Sequence, residues 1–281
     1  MVSQRFGNVV IVTSPSPVEP FIAEGPGVLS QPLRRSEAFR WFLIAVGGFL
    51  AGEAVSAAAV ATVAAILGQS GNLAALAKAP SPPQWYVVTS LVGLWVGFIG
   101  APVLAVNFDP IRRILGLRFS RWDLLGIPIG ILSQVVIKLL YAPFMTHLHN
   151  FDSPARRLTG GSHGMGVVVM YLFVIVGAPF AEEVFFRGLL MRSFHGMASS
   201  LNTKRARRVG IVMGVIADGL LFGISHGELA QLAGLALFGI LMATIFLRTG
   251  RLGMCIVAHC SFNALAIASL ATTSGNPLQW L

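Results

Sequence analysis

The chain has 281 residues, 55% of them hydrophobic and only 11% charged, with a mean hydropathy of +0.75 and a formal net charge of +9. A water-soluble domain carries about 25% charged residues, so this composition excludes an ordinary soluble protein. At this hydropathy the excess of lysine and arginine points to the cytoplasmic loops of a membrane protein rather than to nucleic acid.

Residues 1–39 contain Ser14-Pro15-Ser16-Pro17, Glu19-Pro20 and Gly25-Pro26-Gly27. Such punctuation opposes regular structure and predicts a flexible cytoplasmic tail. The stretch has no compact apolar segment, so it does not read as a secretory signal. Apolar runs follow at about 41–67, 85–106, 124–145, 165–192, 209–226, 229–247 and 252–273. A membrane-spanning helix needs about 20 mostly apolar residues, because backbone polar groups must be satisfied internally in lipid. The expected architecture is therefore an all-α, multi-pass transmembrane bundle of about seven spans over residues 40–281, or eight if one run is a broken helix. No tandem repeat is visible.

Basic residues set the orientation. With seven spans, one side receives Arg5, Arg34, Arg35 and Arg40, then Arg112, Arg113, Arg118 and Arg121, then Arg192 and Lys204 to Arg208, and finally Arg248 and Arg251. The other side receives only Lys78, Arg156 and Arg157. The rule that positive loops stay inside then predicts a cytoplasmic N-terminus in a cell-membrane protein.

The fourth apolar run reads V-G-A-P-F-A-E-E-V-F-F-R-G-L-L-M, with Glu182, Glu183 and Arg187 inside a lipid-like stretch. An ionisable group at mid-membrane costs at least ~2.5 kcal/mol on insertion scales. Glu183 and Arg187 stand four apart, acid first, and can pair on one helix face. Pro179 removes a helical hydrogen bond and predicts a kink just before them. The fifth run ends F-G-I-S-H at His226, and the last contains H-C-S-F-N, where His259 and Asn263 share a face. Measured from the basic loop 199–208 or from Arg251, Glu183, His226 and Asn263 lie about 24, 26 and 18 Å deep at 1.5 Å per helical residue. They can converge within a turn or two, provided that the fourth helix continues through F-R-G-L-L-M-R-S-F-H-G-M.

The ordered set E-E-V-F-F-R-G, F-G-I-S-H and H-C-S-F-N, with F-L-R-T-G-R-L-G-M-C-I-V-A-H between the last two, resembles the CAAX prenyl protease and bacteriocin-processing (CPBP, or Abi) family. The resemblance covers about residues 165–268. It implies an intramembrane endopeptidase that hydrolyses a peptide bond of a membrane-associated protein or peptide, the lipid bilayer being its other partner. Carried over by position, it implies Glu182 as the general base that polarises a water with help from His226. His259 and Asn263 would then stabilise the oxyanion. Glu182 is preferred to Glu183 as base because Glu183 already has Arg187 as its partner. The family includes the enzyme that removes the last three residues of prenylated CAAX proteins, but nothing in the chain selects a prenylated substrate.

Two other classes remain. Intramembrane charge also marks transporters and channels, although the matched half-repeats typical of transporters are absent. A non-catalytic binding or immunity protein could keep the fold, against which the intact Glu182, His226, His259 and Asn263 argue. No cofactor is preferred. Zinc is the alternative, with Glu182, His226 and His259 as ligands, although the H-E-x-x-H helix pair of many zinc proteases is missing. Among the remaining polar residues, Glu53 and Lys138 are expected to form an interhelical packing pair. Asp218 is a weaker candidate because its offset of eight from His226 drifts off that face. His147 and His149 form an H-x-H without further ligand spacing. Cys255 and Cys260, five apart on one helix, are read as small buried hydrophobes rather than a disulfide.

Overall fold

The structure is a computed structural model and describes residues 32–107, 115–144, 157–158 and 160–273, with side chains to Ser269. Most of the expected tail, Arg112, Arg113, Arg156, His147 and His149 lie outside the described residues. We number the helices α1 (Arg35–Ile66), α2 (Leu73–Lys78), α3 (Gln84–Ala105), α4 (Gly126–Tyr141), α5 (Met165–Ser199), α6 (Lys204–Ser225), α7 (Leu232–Thr249) and α8 (Gly253–Thr273). Short 3₁₀ turns at Arg121–Leu125 and Ala142–Phe144 extend α4 at both ends.

Six helical runs are long and apolar enough to cross a membrane: α1, α3, α4 with its flanking turns, α5, α6 and α7. A shorter apolar stretch, Gly253–Ser269, forms most of α8. These are the seven expected runs, with ends that differ by up to seven residues, and the protein is a multi-pass helical membrane bundle. Its outer surface is apolar: Leu50, Ile66, Leu132, Leu139, Val212 and Ile224 are all exposed. Large contiguous apolar surface of this kind belongs against lipid, not water.

The helix ends follow local chemistry. α1 begins at Arg35, inside the span assigned to the tail, because Glu37 accepts from the Arg34 backbone and guanidinium at its first turn. Thr203 caps α6 by accepting from Ala206 N–H at 3.1 Å. α7 stops at Gly250, whose φ of 63° lies in the left-handed region that favours glycine.

α1 and α3 pack backbone to backbone through Gly48, Gly52, Gly93 and Gly97. A Cβ on Gly97 would collide with the Gly48 carbonyl oxygen, and one on Gly93 would meet the Ser56 backbone. Small residues permit this close approach where lipid supplies no hydrophobic drive between helices. Gly97→Leu is therefore expected to destabilise the bundle by about 1–3 kcal/mol or more through overpacking. The check is its thermal unfolding in detergent beside Gly100→Leu, where a Cβ would meet nothing within 4 Å.

The interior is aromatic. Phe98 stacks on Phe185 at 4.4 Å between ring centroids, and Phe186 meets Phe222 edge-on at 5.2 Å. Phe222, near the end of α6, and Phe238, in the middle of α7, are fully buried and 6.3 Å apart between ring centroids. This cluster forms the apolar wall behind the polar groups.

Candidate active site

The fourth run forms one continuous helical rod, Met165–Ser199, as the convergence of the motifs requires. It is not regular. Residues Phe173–Gly177 and Val184–Met191 are π-helical, and the α-helical turn Ala178–Glu183 between them carries both carboxylates. Pro179 explains the first irregularity. The Ala178 N–H is taken by Phe173 O in the wider register, and the next position, Pro179, has no N–H to offer. The Val174 carbonyl is thereby deprived of its helical donor. Asn263 supplies one from α8, with Nδ2 donating to Val174 O at 2.8 Å.

Glu183 is fully buried and is the hub of the site. Its Oε1 accepts from Arg187 NH1 at 2.9 Å and lies 2.8 Å from His259 Nδ1. The expected pairing of Glu183 with Arg187 along one helix face is present. Arg187 does more than the sequence suggests. Its Nε faces Asp218 Oδ2 at 3.5 Å, its NH2 donates to Gly239 O at 3.0 Å, and its guanidinium lies over the Phe222 ring at 4.7 Å. Gly219 and Gly239 allow α6 and α7 to close at this level, since a Cβ on Gly239 would meet Gly219 Cα at 2.8 Å. One buried arginine thus joins α5, α6 and α7.

Asp218 carries more weight in the structure than its spacing from His226 gives it. That spacing concerns its own helix, whereas the side chain it faces is on α5. The useful signal in the sequence is its sign: a lone acid in an apolar span needs a cation, and Arg187 is the one buried between two acids.

His259 stands between the two carboxylates. Its Nδ1 faces Glu183, and its Nε2 lies 3.6 Å from Glu182 Oε2. Because Glu183 Oε1 serves as the acceptor, Nδ1 is the donating nitrogen of this ring. Phe222 and Phe238 meet the ring edge-on at 5.5 and 5.1 Å, which fixes its plane. His226, at the end of α6, has Nδ1 2.8 Å from Phe222 O. A carbonyl can only accept, so Nδ1 carries the proton and Nε2 is left as the free nitrogen of the neutral ring. Phe222 therefore touches both histidines and Arg187. In the sequence it is only the first letter of F-G-I-S-H, with no role of its own.

Glu182 differs from Glu183. It is not paired with Arg187, although in both carboxylates Oε2 is buried without a hydrogen-bond partner. Glu182, His226, His259 and Asn263 together line a cavity of about 620 Å³, whereas Glu183 and Arg187 do not reach it. The same cavity is lined by Glu53, Lys138, Gln134 and Tyr86. The expected Glu53–Lys138 pair is not formed: Lys138 Nζ donates to Ser269 Oγ at 2.7 Å. Interhelical reach decides this, because α4 packs along α8 while Glu53 faces from α1.

Among the described residues, no three His, Cys, Asp or Glu side chains are gathered as a metal-ligand set. Cys255 and Cys260 are free thiols, the former buried.

Residues 164–265 match the family model described as type II CAAX prenyl endopeptidase Rce1-like. That span contains all three motifs, so the family resemblance read from them is shown, and the matched family is one of proteases acting on membrane-associated proteins. No curated protein and no solved structure matches the chain.

Proposed function

We propose that the protein is a cell-membrane endopeptidase with a cytoplasmic N-terminus, which hydrolyses a peptide bond of a membrane-associated polypeptide with a water activated by Glu182. The observation that carries this reading is the division of labour between adjacent carboxylates. Glu183 is consumed through Oε1 by Arg187 and His259 and does not reach the cavity, while Glu182 lines the cavity and is not paired with Arg187. A general base must be free, within reach of its water and close to the reacting carbonyl. Glu182 meets the first condition and Glu183 does not.

Glu183 then acts as a positioning residue. By accepting from His259 Nδ1 it orients that ring and supplies a counter-charge when the ring takes a proton, much as a buried aspartate does for a catalytic histidine. Once protonated, His259 donates through Nε2 toward the cavity, where an oxyanion would form. Asn263, one turn further along α8, supplies a neutral amide beside it. The tetrahedral intermediate needs its donors fixed beforehand, and Asn263 is fixed by its bond to the Val174 carbonyl. His226, with Nε2 free, is placed to accept a hydrogen bond from the water and help polarise it, while the proton that Glu182 takes from the water passes on to the leaving amine.

Zinc would use the same atoms differently, with Glu182, His226 and His259 as three ligands and an open fourth position. The Nε2 atoms of both histidines are chemically suited to it. We favour the metal-independent reaction because a metal would itself polarise the carbonyl and leave Asn263, placed in the cavity wall one turn from His259, with only its bond to Val174 to make. Asn263→Ala is expected to lower kcat by ~10²–10³-fold with little change in KM, and strong chelators should not inactivate protein prepared without added metal. Stoichiometric zinc by elemental analysis, with activity lost on its removal and restored on its return, would overturn this and make both histidines ligands.

A further inference from the structure

Two faces of the bundle can be told apart by contacts alone. One is stitched by Arg40 NH2 donating to Ala105 O, which ties the start of α1 to the end of α3. On the same face Leu252 N donates to Gly116 O, and Arg251 pairs with Asp123 at 3.2 Å. A Cβ on Gly196 would meet Ala38 and Leu33, which brings the end of α5 there too, and Gly210 packs on Ala198 at the start of α6. This face carries Arg34, Arg35, Arg40, Arg118, Arg121, the run Lys204 to Arg208, Arg248 and Arg251.

The opposite face is stitched by Gln84 Nε2 donating to Gly166 O at 3.1 Å and Gly234 N donating to Tyr141 OH at 2.9 Å. Arg157 donates to Ala77 O, and Gly161 packs against Pro82. Among the described residues its loops and helix ends hold only Lys78, Arg157 and, in the last turn of α4, Lys138 as lysine or arginine.

The active-site cavity belongs to the second face. Its walls include Pro82 and Tyr86 at the start of α3, Tyr141 at the end of α4, Arg157 before α5, and Glu228 and Gln231 between α6 and α7. No residue of the arginine-rich loops lines it. His226 terminates α6 at this same end. Ionisable groups such as Glu53 and Lys138 within its walls suit a water-filled vestibule rather than a lipid-facing groove.

We infer that the cavity opens on the non-cytoplasmic side of the membrane and takes its substrate there, as a membrane-anchored polypeptide whose cleavable segment is exposed outside the cytoplasm. The asymmetry of basic residues sets the side, because loops rich in lysine and arginine are retained in the cytoplasm. The substrate half of the inference rests on the peptidase reading. The location of the opening does not.

The test uses the full chain with Cys255 and Cys260 replaced by alanine and one cysteine returned at a time. Glu228→Cys reports the mouth of the cavity, Lys78→Cys the same face away from it, and Arg205→Cys the opposite face. Each is treated with a membrane-impermeant maleimide in right-side-out and inside-out vesicles. Glu228→Cys and Lys78→Cys are expected to label in right-side-out vesicles and to lose that labelling on inversion, with Arg205→Cys behaving oppositely. Labelling of Glu228→Cys and Lys78→Cys only in inside-out vesicles would overturn the inference, and Lys78→Cys keeps it testable if the first variant fails to accumulate. Labelling requires no catalysis, so a protein that opens outward but cleaves nothing would refute the peptidase reading alone.

Discussion

Glu182→Gln is expected to abolish cleavage by the reconstituted protein while leaving its accumulation and thermal unfolding close to those of the unaltered chain. Glutamine matches glutamate in shape but cannot take a proton from water, and a general base contributes ~10²–10⁴-fold to rate. Among the described residues, Glu182 has no arginine or lysine partner to lose. It faces His259 Nε2 at 3.6 Å, longer than a hydrogen bond, so folding should tolerate the change. Glu183→Gln should behave differently. It leaves Arg187 and Asp218 to find a new balance and weakens the grip on His259, so both stability and activity should fall. The measurement is paired: initial rates on a membrane-anchored peptide and melting of the same preparations in detergent. An active Glu182→Gln protein beside a well-folded, inactive Glu183→Gln protein would transfer the role of base to Glu183.

The contrast between the two glutamates is partly legible in the sequence. Spacing of four residues places Glu183 and Arg187 on one face of any helix, whatever surrounds it. The neighbours of that pair on other helices are not legible, because they depend on how helices cross. Asp218 illustrates this. Its offset from His226 is a statement about α6, whereas the group it faces is on α5. Lys138 is similar: two opposite charges in apolar spans invite a pairing, but α4 runs beside α8 and offers Ser269 first.

The helical spans are legible because lipid imposes length and apolarity directly on the sequence. Pro179 also announces a disturbance. Its form does not follow, since a missing N–H can be accommodated by a kink or by a wider turn. The wider turn leaves the Val174 carbonyl for Asn263, which converts a local irregularity into an interhelical bond within the site. Depth counting along the helices brings Glu183, His226 and Asn263 to similar levels. It cannot say that Phe222 stands between the histidines and Arg187, because ring packing is set by three helices at once.

Arg187→Ala is expected to be the most destabilising single change in the site, at ~3–5 kcal/mol, because it leaves buried charge without its partner. Two carboxylates lose their cation at once: Glu183, at 2.9 Å, and Asp218, at 3.5 Å, both fully buried. Removing the charge from one of them is therefore not enough. Glu183→Gln with Arg187→Met should recover only part of the loss, since Asp218 stays buried and unpaired. Adding Asp218→Asn should recover more, because replacing a complete buried ionic cluster by neutral groups of similar volume is often neutral in stability. The three proteins are compared by membrane accumulation and by thermal unfolding in detergent, as steps of one mutant cycle. A triple variant no more stable than Arg187→Ala would show that Arg187 holds the bundle by packing on Phe222 and bonding Gly239 rather than by charge. If the triple variant folds, its activity separates the two roles of the cluster. The amide that replaces the Glu183 carboxylate can still accept from His259 Nδ1 but offers no counter-charge to the protonated ring, so cleavage should remain impaired in a protein whose stability has returned.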